Sequence, residues 1–377
     1  MLAGRALIRF RKALLGWFSE FQRDLPWRSS KDPYRIWLSE IMLQQTRVAA
    51  AIPYYKRFLE RFPNVKALAE APEEEVLRLW AGLGYYSRAR NLQKAAKQIV
   101  AEHRSRFPEN LEEALALPGI GQYTAAAILS IAHGKKLAVL DGNVARVLAR
   151  LQAMRGDLRN GARWQALQKT ANNLLAPRAP GDWNQAMMEL GATLCTPRSP
   201  QCLLCPVGEF CEARKQGLTA VIPEKRNKRK NVEVTLAALV LVDPRGNTLL
   251  LPPPKSSPKL GVMEDVAVLL SRMWHFPTIR AKHDAERELR EFVQKSIWRG
   301  KRFPGRFEAL ANVRHAVTYR QITLQPFRVH VAELPPVPNA KFLPLDDLSS
   351  VAISNLTRKV AQAATQPSLL AGLRPRK

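Results

Sequence analysis

The chain has 377 residues, with 59 Lys and Arg against 32 Asp and Glu, and a formal net charge of +27. This length predicts two or three domains that each bury a core, and it excludes a mini-protein. No apolar run approaches the roughly 20 residues that span a bilayer, so we expect no membrane partner; the charge favours a nucleic-acid partner, with a basic surface or anionic lipid as the alternatives.

Residues 1–221 are predicted to form an all-helical domain, because apolar residues recur at helical spacing between Pro and Gly breaks. The predicted helical segments are 1–18, 36–59, 76–80, 92–100, 124–132 and 144–154. A basic linker without large apolar residues follows at 222–231.

Residues 232–350 are predicted to form a smaller α+β domain. Two apolar runs, 232–242 and 248–251, flank a turn at 243–247 and predict a β-hairpin. A helical pattern covers 281–297, and 315–332 predicts a further strand. Residues 351–377 predict a C-terminal helix and a flexible basic tail.

All four cysteines lie close together in the chain, at Cys195, Cys202, Cys205 and Cys211. A disulfide scaffold would spread its bridges along the chain, so the cluster predicts a metal centre. The single two-residue gap favours an iron–sulfur cluster over zinc, which usually uses paired short knuckles; paired disulfides are a third possibility. With no evident signal peptide, such thiols predict a reducing compartment, most simply a bacterial cytoplasm, where the protein would be nucleoid-associated.

Two carboxylates stand out in the helical half. Glu40 lies inside a largely apolar helical stretch, where a carboxylate is costly unless it titrates or pairs; the alternative is a solvated position on an amphipathic helix. Asp141 lies at the start of a helix and has the alternative interpretation of an N-cap. Between them, Leu117-Pro-Gly-Ile-Gly121 predicts a tight turn in which Gly119 and Gly121 bring N–H groups toward phosphate, or a plain helix–helix connection.

Together these segments resemble the helix-hairpin-helix DNA glycosylase superfamily, and within it the MutY-type adenine DNA glycosylases, which are endonuclease III-like proteins with an iron–sulfur cluster. The motifs that carry the resemblance are Pro26-Trp-Arg28, Ser39-Glu-Ile-Met-Leu-Gln-Gln-Thr46, Gly82-Leu-Gly-Tyr-Tyr86, Leu117-Pro-Gly-Ile-Gly121, Leu140-Asp-Gly-Asn-Val144 and the cysteine spacing. They cover residues from about 20 to 212 in the family's order. The cysteines are then expected to hold a 4Fe-4S cluster in a loop that presents Arg198 to DNA.

The resemblance implies base-excision repair: hydrolysis of the N-glycosidic bond of adenine mispaired with 8-oxoguanine or guanine. Glu40 would be the general acid toward N7 of adenine, and an ionised Asp141 would face the sugar cation, oriented by Asn143 and Tyr123. Bifunctional relatives carry a Schiff-base lysine where this chain has Tyr123. The resemblance therefore predicts a monofunctional enzyme.

The same resemblance assigns residues that contact DNA. Gln45 and Tyr85 would intercalate as the base is flipped out, their alternatives being a surface amide and a core aromatic. Trp27, Arg28 and Gln185 would line the pocket around the adenine, although Arg28 could instead contact a phosphate. We expect a monomer on double-stranded DNA.

The C-terminal domain resembles the family's nudix-like recognition domain for 8-oxoguanine. Its metal-binding box is broken around Arg287-Glu-Leu-Arg-Glu291, so we expect recognition without hydrolysis. The family's Phe-Ser-His loop aligns with Val317-Thr-Tyr319, where the histidine is lost but Thr318 and Tyr319 still supply hydrogen-bond donors. The rival hypotheses are a bifunctional glycosylase and AP lyase, and a non-catalytic iron–sulfur DNA-binding protein, which would tolerate loss of both acids.

Overall fold

The structure, a computed structural model, describes residues 2–224, 230–253, 266, 269–270, 272–299, 303 and 305–366. The chain divides into two compact units. The first, here called the helical unit, contains Met1–Ala71 and Arg90–Asn227. The second unit contains Pro72–Ala89 and Lys228–Lys377. Parts of the predicted linker and tail, residues 225–229 and 367–377, lie outside the described residues.

Helices dominate the chain up to residue 215. In chain order they are α1 (Gly4–Phe21), α2 (Pro33–Leu43), α3 (Val48–Arg61), α4 (Val65–Glu70), α5 (Glu73–Trp80), α6 (Ser87–Glu102), α7 (Leu111–Ala116), α8 (Gln122–His133), α9 (Gly142–Leu151), α10 (Gly161–Leu174), α11 (Pro180–Thr193), a 3-10 turn (Gly208–Phe210) and α12 (Glu212–Lys215). The helical prediction for this part is confirmed. The stretch 36–59, predicted as one segment, is two helices, because the chain turns at residues 44–47 with Gln45 at φ 55°.

The helix ends follow ordinary capping chemistry. At the start of α2, the Asp32 carboxylate accepts from the backbone N–H of Tyr34, and Pro33 occupies the first turn, where its missing N–H costs nothing. Helix α8 ends at Gly134 with φ 65°, a left-handed conformation that glycine adopts without strain. The first cap fixes where α2 begins, and the second fixes where α8 ends. Helices α2 and α8 contact each other.

One core of the helical unit forms around the first helix. Phe10, Leu14 and Phe18 recur every four residues on α1 and are buried against α9, α10 and α11, where Trp183 packs on Phe10 with ring centroids 5.8 Å apart. The four-residue spacing places the three side chains on one face. This packing holds the start of α9 and the length of α11 in fixed positions.

The second unit contains a mixed β-sheet with a helix on each face. Its strands are β1 (Val232–Val242), β2 (Asn247–Leu250), β3 (Thr278–Arg280), β4 (Glu308–Ala309), β5 (Val313–Val317), β6 (Arg320–His330) and β7 (Lys341–Pro344), and its later helices are α13 (Ala285–Ser296) and α14 (Asn355–Thr365). The order is β3-β1-β6-β4, with β5 also on β6 and with β2 and β7 as a separate pair. The expected smaller α+β domain is confirmed.

Side-chain alternation along β1 explains this layering. Leu236, Ala238 and Val240 pack in the core that contains α14, whereas Leu239 and Leu241 pack in the core that contains α13. Because successive strand residues point to opposite faces, an almost unbroken apolar run is buried on both sides. Strand β1 is therefore a central strand, parallel to β6 from Val232↔Arg320 to Val242↔His330.

Two strand predictions were wrong. The runs 232–242 and 248–251 do not form the expected hairpin: β1 pairs with β3 and β6, and β2 pairs with β7. A central strand needs two partners, and the local turn does not determine them. The stretch 315–332, predicted as one strand, contains the antiparallel hairpin of β5 and β6, which reverses at Thr318 and Tyr319.

Helix α13 carries the acidic residues of the broken nudix-like box. Glu286 pairs with Arg290 and Glu291 pairs with Arg287 on its exposed face. Glu288 accepts hydrogen bonds from the backbone N–H groups of residues 282–284. These three carboxylates therefore take part in local helix-surface contacts.

Within the ranges given above, no helix combines the length and apolar character needed to cross a membrane.

Candidate active site and cysteine loop

A cavity of about 570 Å³ opens in the helical unit and is lined by α2, α8, α11 and the start of α9. It brings together eight of the predicted site residues: Trp27, Arg28, Glu40, Gln45, Tyr123, Asp141, Asn143 and Gln185. The two carboxylates that stand out in the sequence thus share one cavity.

Glu40 is 8% exposed on α2, and its Oε2 atom accepts a hydrogen bond of 2.7 Å from the Tyr123 hydroxyl. Burial raises the pKa of Glu40 to about 7; the hydrogen bond from Tyr123 lowers it, and the negative charge of Asp141 raises it further. A carboxyl group with this pKa is partly protonated at neutral pH. Glu40 can therefore donate a proton there.

Asp141 is the N-cap of α9, and one carboxylate oxygen accepts from the Val144 backbone N–H at 2.7 Å. The other oxygen accepts from Asn143 Nδ2 at 3.0 Å. Burial raises the pKa of Asp141, while these hydrogen bonds and the charge of Arg146 lower it. The N-cap interpretation and a place in the cavity both hold, since the cap orients the carboxylate without excluding it from the cavity.

Tyr123 lies in the first turn of α8, and its hydroxyl hydrogen bonds go to Glu40 and, at 3.1 Å, to Met188 Sδ. The resemblance predicts that Tyr123 orients Asp141 together with Asn143. Asn143 does bind Asp141. The hydroxyl of Tyr123, by contrast, binds Glu40. Burial and the two nearby carboxylates raise the pKa of Tyr123 well above its usual value, so the phenol stays protonated.

Arg146 connects this region to the cysteine loop, and the sequence alone did not single it out. Its Nη2 atom donates to Asn143 Oδ1 at 2.9 Å and to the Gly191 carbonyl at 2.7 Å, and its Nε atom donates to the Cys195 carbonyl at 2.8 Å. Asn143 also packs against Gly191, where a Cβ atom would come within 2.8 Å of Asn143 Cβ. The spacing of Arg146 one turn after Asn143 was the available signal.

The cavity also contains a buried ion-pair group that the sequence did not reveal. Glu189 on α11 is 1% exposed and accepts from Arg23 at 2.6 and 2.8 Å and from Arg28 at 2.8 Å. These two guanidinium groups overcome the effect of burial and hold the pKa of Glu189 below its usual value. Arg28 therefore has an acidic partner in the protein, in addition to its place on the cavity wall.

The remaining predicted residues lie in turns. Trp27 packs edge-on against Tyr55 with ring centroids 5.4 Å apart. Gly119 has φ 79°, and a Cβ there would meet Asn91 Cβ at 2.8 Å, so the turn before α8 requires glycine. Gly121 is the N-cap of α8. In the second unit, Tyr85 is 43% exposed with φ 48°.

The tip of the β5–β6 hairpin carries the other two predicted recognition residues. Thr318 has φ 55°, which is unfavourable for a β-branched residue. Its hydroxyl donates to the Val317 carbonyl at 2.7 Å. The guanidinium of Arg320 lies 5.1 Å from the centre of the Tyr319 ring.

The four cysteines are free thiols at the end of α11 and in the loop that follows. Burial raises the pKa of Cys205 to about 11, a backbone hydrogen bond from Val207 acts to lower it, and the negative charges of the other three cysteines act to raise it. Among the residues described here, no three His, Cys, Asp or Glu side chains are arranged to hold a single metal ion. Four cysteine thiolates are the usual ligands of an iron–sulfur cluster.

Arg150 binds this loop from α9. The buried guanidinium lies 3.3 Å from Cys195 Sγ and donates to the Thr196 carbonyl at 2.8 Å. The backbone carbonyl of Arg150 accepts from the Cys211 thiol at 3.4 Å. Arg150 thus contacts both Cys195 and Cys211, the first and last of the four cysteines.

Two known protein families match segments of this chain. The HhH-GPD superfamily of base excision DNA repair proteins matches residues 38–172, and the iron-sulfur binding domain of endonuclease III matches residues 195–211. The chain is thus a DNA N-glycosylase with an iron–sulfur binding domain formed by the four cysteines. A thermostable thymine-DNA glycosylase of known structure is 30% identical, with a TM-score of 0.51, over 56% of this chain and 97% of that one.

Two relatives that match most of this chain identify its family within the DNA N-glycosylases. Adenine DNA glycosylase of Homo sapiens is 35% identical over 93% of this chain and 73% of the relative. Adenine DNA glycosylase of Mus musculus is 34% identical over 93% of this chain and 77% of the relative. The chain therefore belongs to the adenine DNA glycosylase family.

The raised pKa of Glu40 predicts a stability effect with a definite sign. Because the folded state holds the proton more tightly than the unfolded chain, wild-type protein loses stability as the pH rises from 4.5 to about 7. Glu40→Gln keeps an acceptor for Tyr123 but cannot ionise. We expect the variant to be more stable than wild type by about 3 kcal/mol above pH 7, and by nothing below pH 4.5. Urea unfolding at both extremes measures this difference, and an equal difference at both would refute the assignment.

Proposed function

We propose that this protein hydrolyses the N-glycosidic bond of adenine mispaired with 8-oxoguanine or guanine in double-stranded DNA and leaves the DNA strand intact. The observation that carries the proposal is the pair of carboxyl groups in one cavity. One of them, Glu40, has a pKa of about 7, and the other, Asp141, is bound by two N–H donors. Two carboxyls in different environments are what glycosidic cleavage needs.

Glu40 acts first in this proposal. Its proton goes to N7 of the flipped adenine, which leaves as a neutral base while the bond to C1′ breaks. Tyr123, bound to the other side of the carboxyl group, keeps Glu40 in place for this transfer. Met188 Sδ lies 3.1 Å from the same hydroxyl.

Asp141 acts on the sugar. Its carboxylate, oriented by Val144 and Asn143, stabilises the positive charge that develops as the base departs. A transient bond between Asp141 and C1′ is one way in which it can do so. Water then adds to C1′, which frees the Asp141 carboxylate from the sugar, and the proton that the water releases returns to the Glu40 carboxylate, so the product is an abasic site and both groups are restored.

Tyr123 supports the monofunctional assignment. Strand cleavage through a Schiff base needs an amine, and a protonated phenol cannot form one. Lys135, which follows α8, pairs with Glu109 at 3.8 Å. An endonuclease III-like lyase activity is the competing function, and Lys135 or Lys136 would be its only nearby amines in the sequence.

The DNA contacts are also proposals. A net charge of +27 suits a duplex with one negative charge per roughly 1.7 Å of its axis. Gln45 and Tyr85, both at positive φ, would fill the space left by the flipped base. Trp27, Arg28 and Gln185 would surround the adenine, with Gly119 and Gly121 at the DNA phosphates. Residues 232–350 would recognise 8-oxoguanine through Thr318 and Tyr319, and the protein would act as a monomer in a nucleoid.

A gel assay on one duplex separates the two activities. The substrate holds adenine opposite 8-oxoguanine and carries a label on the adenine strand. We expect full-length strand after incubation with enzyme alone and a nicked strand after hot alkali, because the product is an unbroken abasic strand. Stoichiometric nicking without alkali would show a lyase. A matched duplex with thymine opposite adenine is the control and should stay intact under both conditions.

A further inference from the structure

The turn between α5 and α6 adopts an unusual backbone conformation. Gly82, Gly84 and Tyr85 all have positive φ, at 111°, 72° and 48°. Glycine adopts such angles freely, but a tyrosine at this φ is strained, so neighbouring groups must hold it. The side chain of Tyr85 is 43% exposed at this turn.

Arg88, in the first helical turn of α6, packs against the loop that joins α5 to α6. Its guanidinium lies 5.3 Å from the ring centre of Trp80 and 5.7 Å from that of Tyr85. It donates to the Leu83 carbonyl at 3.3 Å and to the Gly84 carbonyl at 3.1 Å. One planar cation thus binds both the backbone that sets the φ of Tyr85 and the ring of Tyr85 itself.

Trp80 completes the support. It is fully buried, and its indole N–H donates to the same Gly84 carbonyl at 3.2 Å. Arg88 is itself 8% exposed, and burial lowers the pKa of its guanidinium to about 10, so the side chain remains charged at neutral pH. Burying a cation is costly, because the charge loses its hydration. An apolar side chain of similar size often packs equally well.

We propose that Arg88 is a positioning residue that presents Tyr85 for insertion into the duplex, and that it acts on base removal only through Tyr85. Arg88 faces the turn and does not contact substrate in this proposal. It rests on the proposed function in one respect, namely that Tyr85 fills the space of the flipped adenine. If Arg88 has this role, its substitution should slow adenine release only from substrates in which the enzyme has to unstack the adenine.

A double-mutant cycle tests this directly by single-turnover adenine release from a duplex with 8-oxoguanine opposite adenine. We expect Arg88→Met and Tyr85→Ala each to slow release ~10–100-fold, since each variant loses the side chain, or its support, that offsets the unstacking of the base. The double variant should be no slower than Tyr85→Ala alone. Arg88→Lys should restore only part of the rate, because an ammonium cannot bind two carbonyls and two rings at once. Lys97→Met, on the exposed side of α6, is the matched loss of charge and should leave the rate unchanged.

A second substrate excludes a general structural effect. When the target adenine lies in an unpaired bulge, little unstacking is needed, and the loss in Arg88→Met should shrink to ~3-fold or less. If the losses multiply in the double variant, if the bulge substrate suffers equally, or if Tyr85→Ala has no effect, the positioning role is refuted. Each of these outcomes leaves adenine release by the wild-type protein unchanged, and so leaves the proposed reaction standing; the last one also removes the proposed role of Tyr85 in filling the space of the flipped base. Should Arg88→Met fail to fold, Arg88→Lys in both Tyr85 backgrounds gives the same comparison.

Discussion

Glu40→Gln is expected to slow single-turnover adenine release by ~10²–10⁴, because the leaving adenine loses its proton donor. The amide has nearly the size of the carboxyl group and can still accept the hydrogen bond from Tyr123, so the cavity should keep its shape. Asp141→Asn is expected to cost ~10²–10³ by removing the negative charge that faces the sugar. Quenched-flow release of labelled adenine measures both losses.

The matched control is Glu60→Gln, the same chemical change on the exposed surface of α3, which should leave the rate unchanged. DNA binding provides a second readout. Both active-site variants should keep wild-type affinity for the duplex, since neither carboxyl group contacts phosphate in this mechanism. Release at the wild-type rate by either variant would place the chemistry elsewhere and would revive a non-catalytic, DNA-binding role for the cavity.

The second large effect concerns the stability of the cavity wall. Glu189→Gln leaves the guanidinium groups of Arg23 and Arg28 without their buried carboxylate, and breaking a buried ion pair from one side costs ~3–5 kcal/mol. Arg23 is partly exposed, which places the expected loss at the lower end of that range. Urea unfolding at pH 7 measures this loss.

The control for this prediction is Glu209→Gln. Glu209 pairs with Arg9 at the same distance of 2.6 Å, but both side chains are more than half exposed, so we expect a loss of ~1 kcal/mol or less. The pH dependence adds a check. Because the folded pKa of Glu189 is depressed, its contribution is present above the unfolded pKa and is lost as the pH falls through the folded value. Equal losses in the two variants would show that burial does not strengthen the Glu189 pair.

Local patterns predicted much of the helical half and little of the strand pairing. The apolar spacing of Phe10, Leu14 and Phe18 defines the buried face of α1 without knowledge of its partners. The parallel pairing of β1 with β6, by contrast, joins segments about ninety residues apart. An apolar run that is buried on both faces is compatible with many partners, so its period alone could not identify β6.

The candidate site also contains some residues that the sequence could predict and others that it could not. Glu40 stood out because a carboxyl group is unusual inside an apolar helix, and Asp141 stood out because the family resemblance gave it a role beyond the N-cap that Asp often forms. Glu189 did not stand out: its partner Arg28 is 161 positions away in the chain, and a Glu on an amphipathic helix is ordinarily solvated. Tyr123 was identified as the replacement for an amine, but which carboxylate its hydroxyl binds depends on how α2 and α8 pack.

The sharpest test of Glu40 as the general acid is the pH dependence of single-turnover adenine release. We predict a bell-shaped profile for wild type, with an alkaline limb near pH 7 from deprotonation of Glu40 and an acid limb from protonation of Asp141, whose pKa is raised by burial. Glu40→Gln should lose the alkaline limb and keep the acid one. A wild-type rate that stays flat through neutral pH, or an alkaline limb that survives in Glu40→Gln, would contradict this role of Glu40.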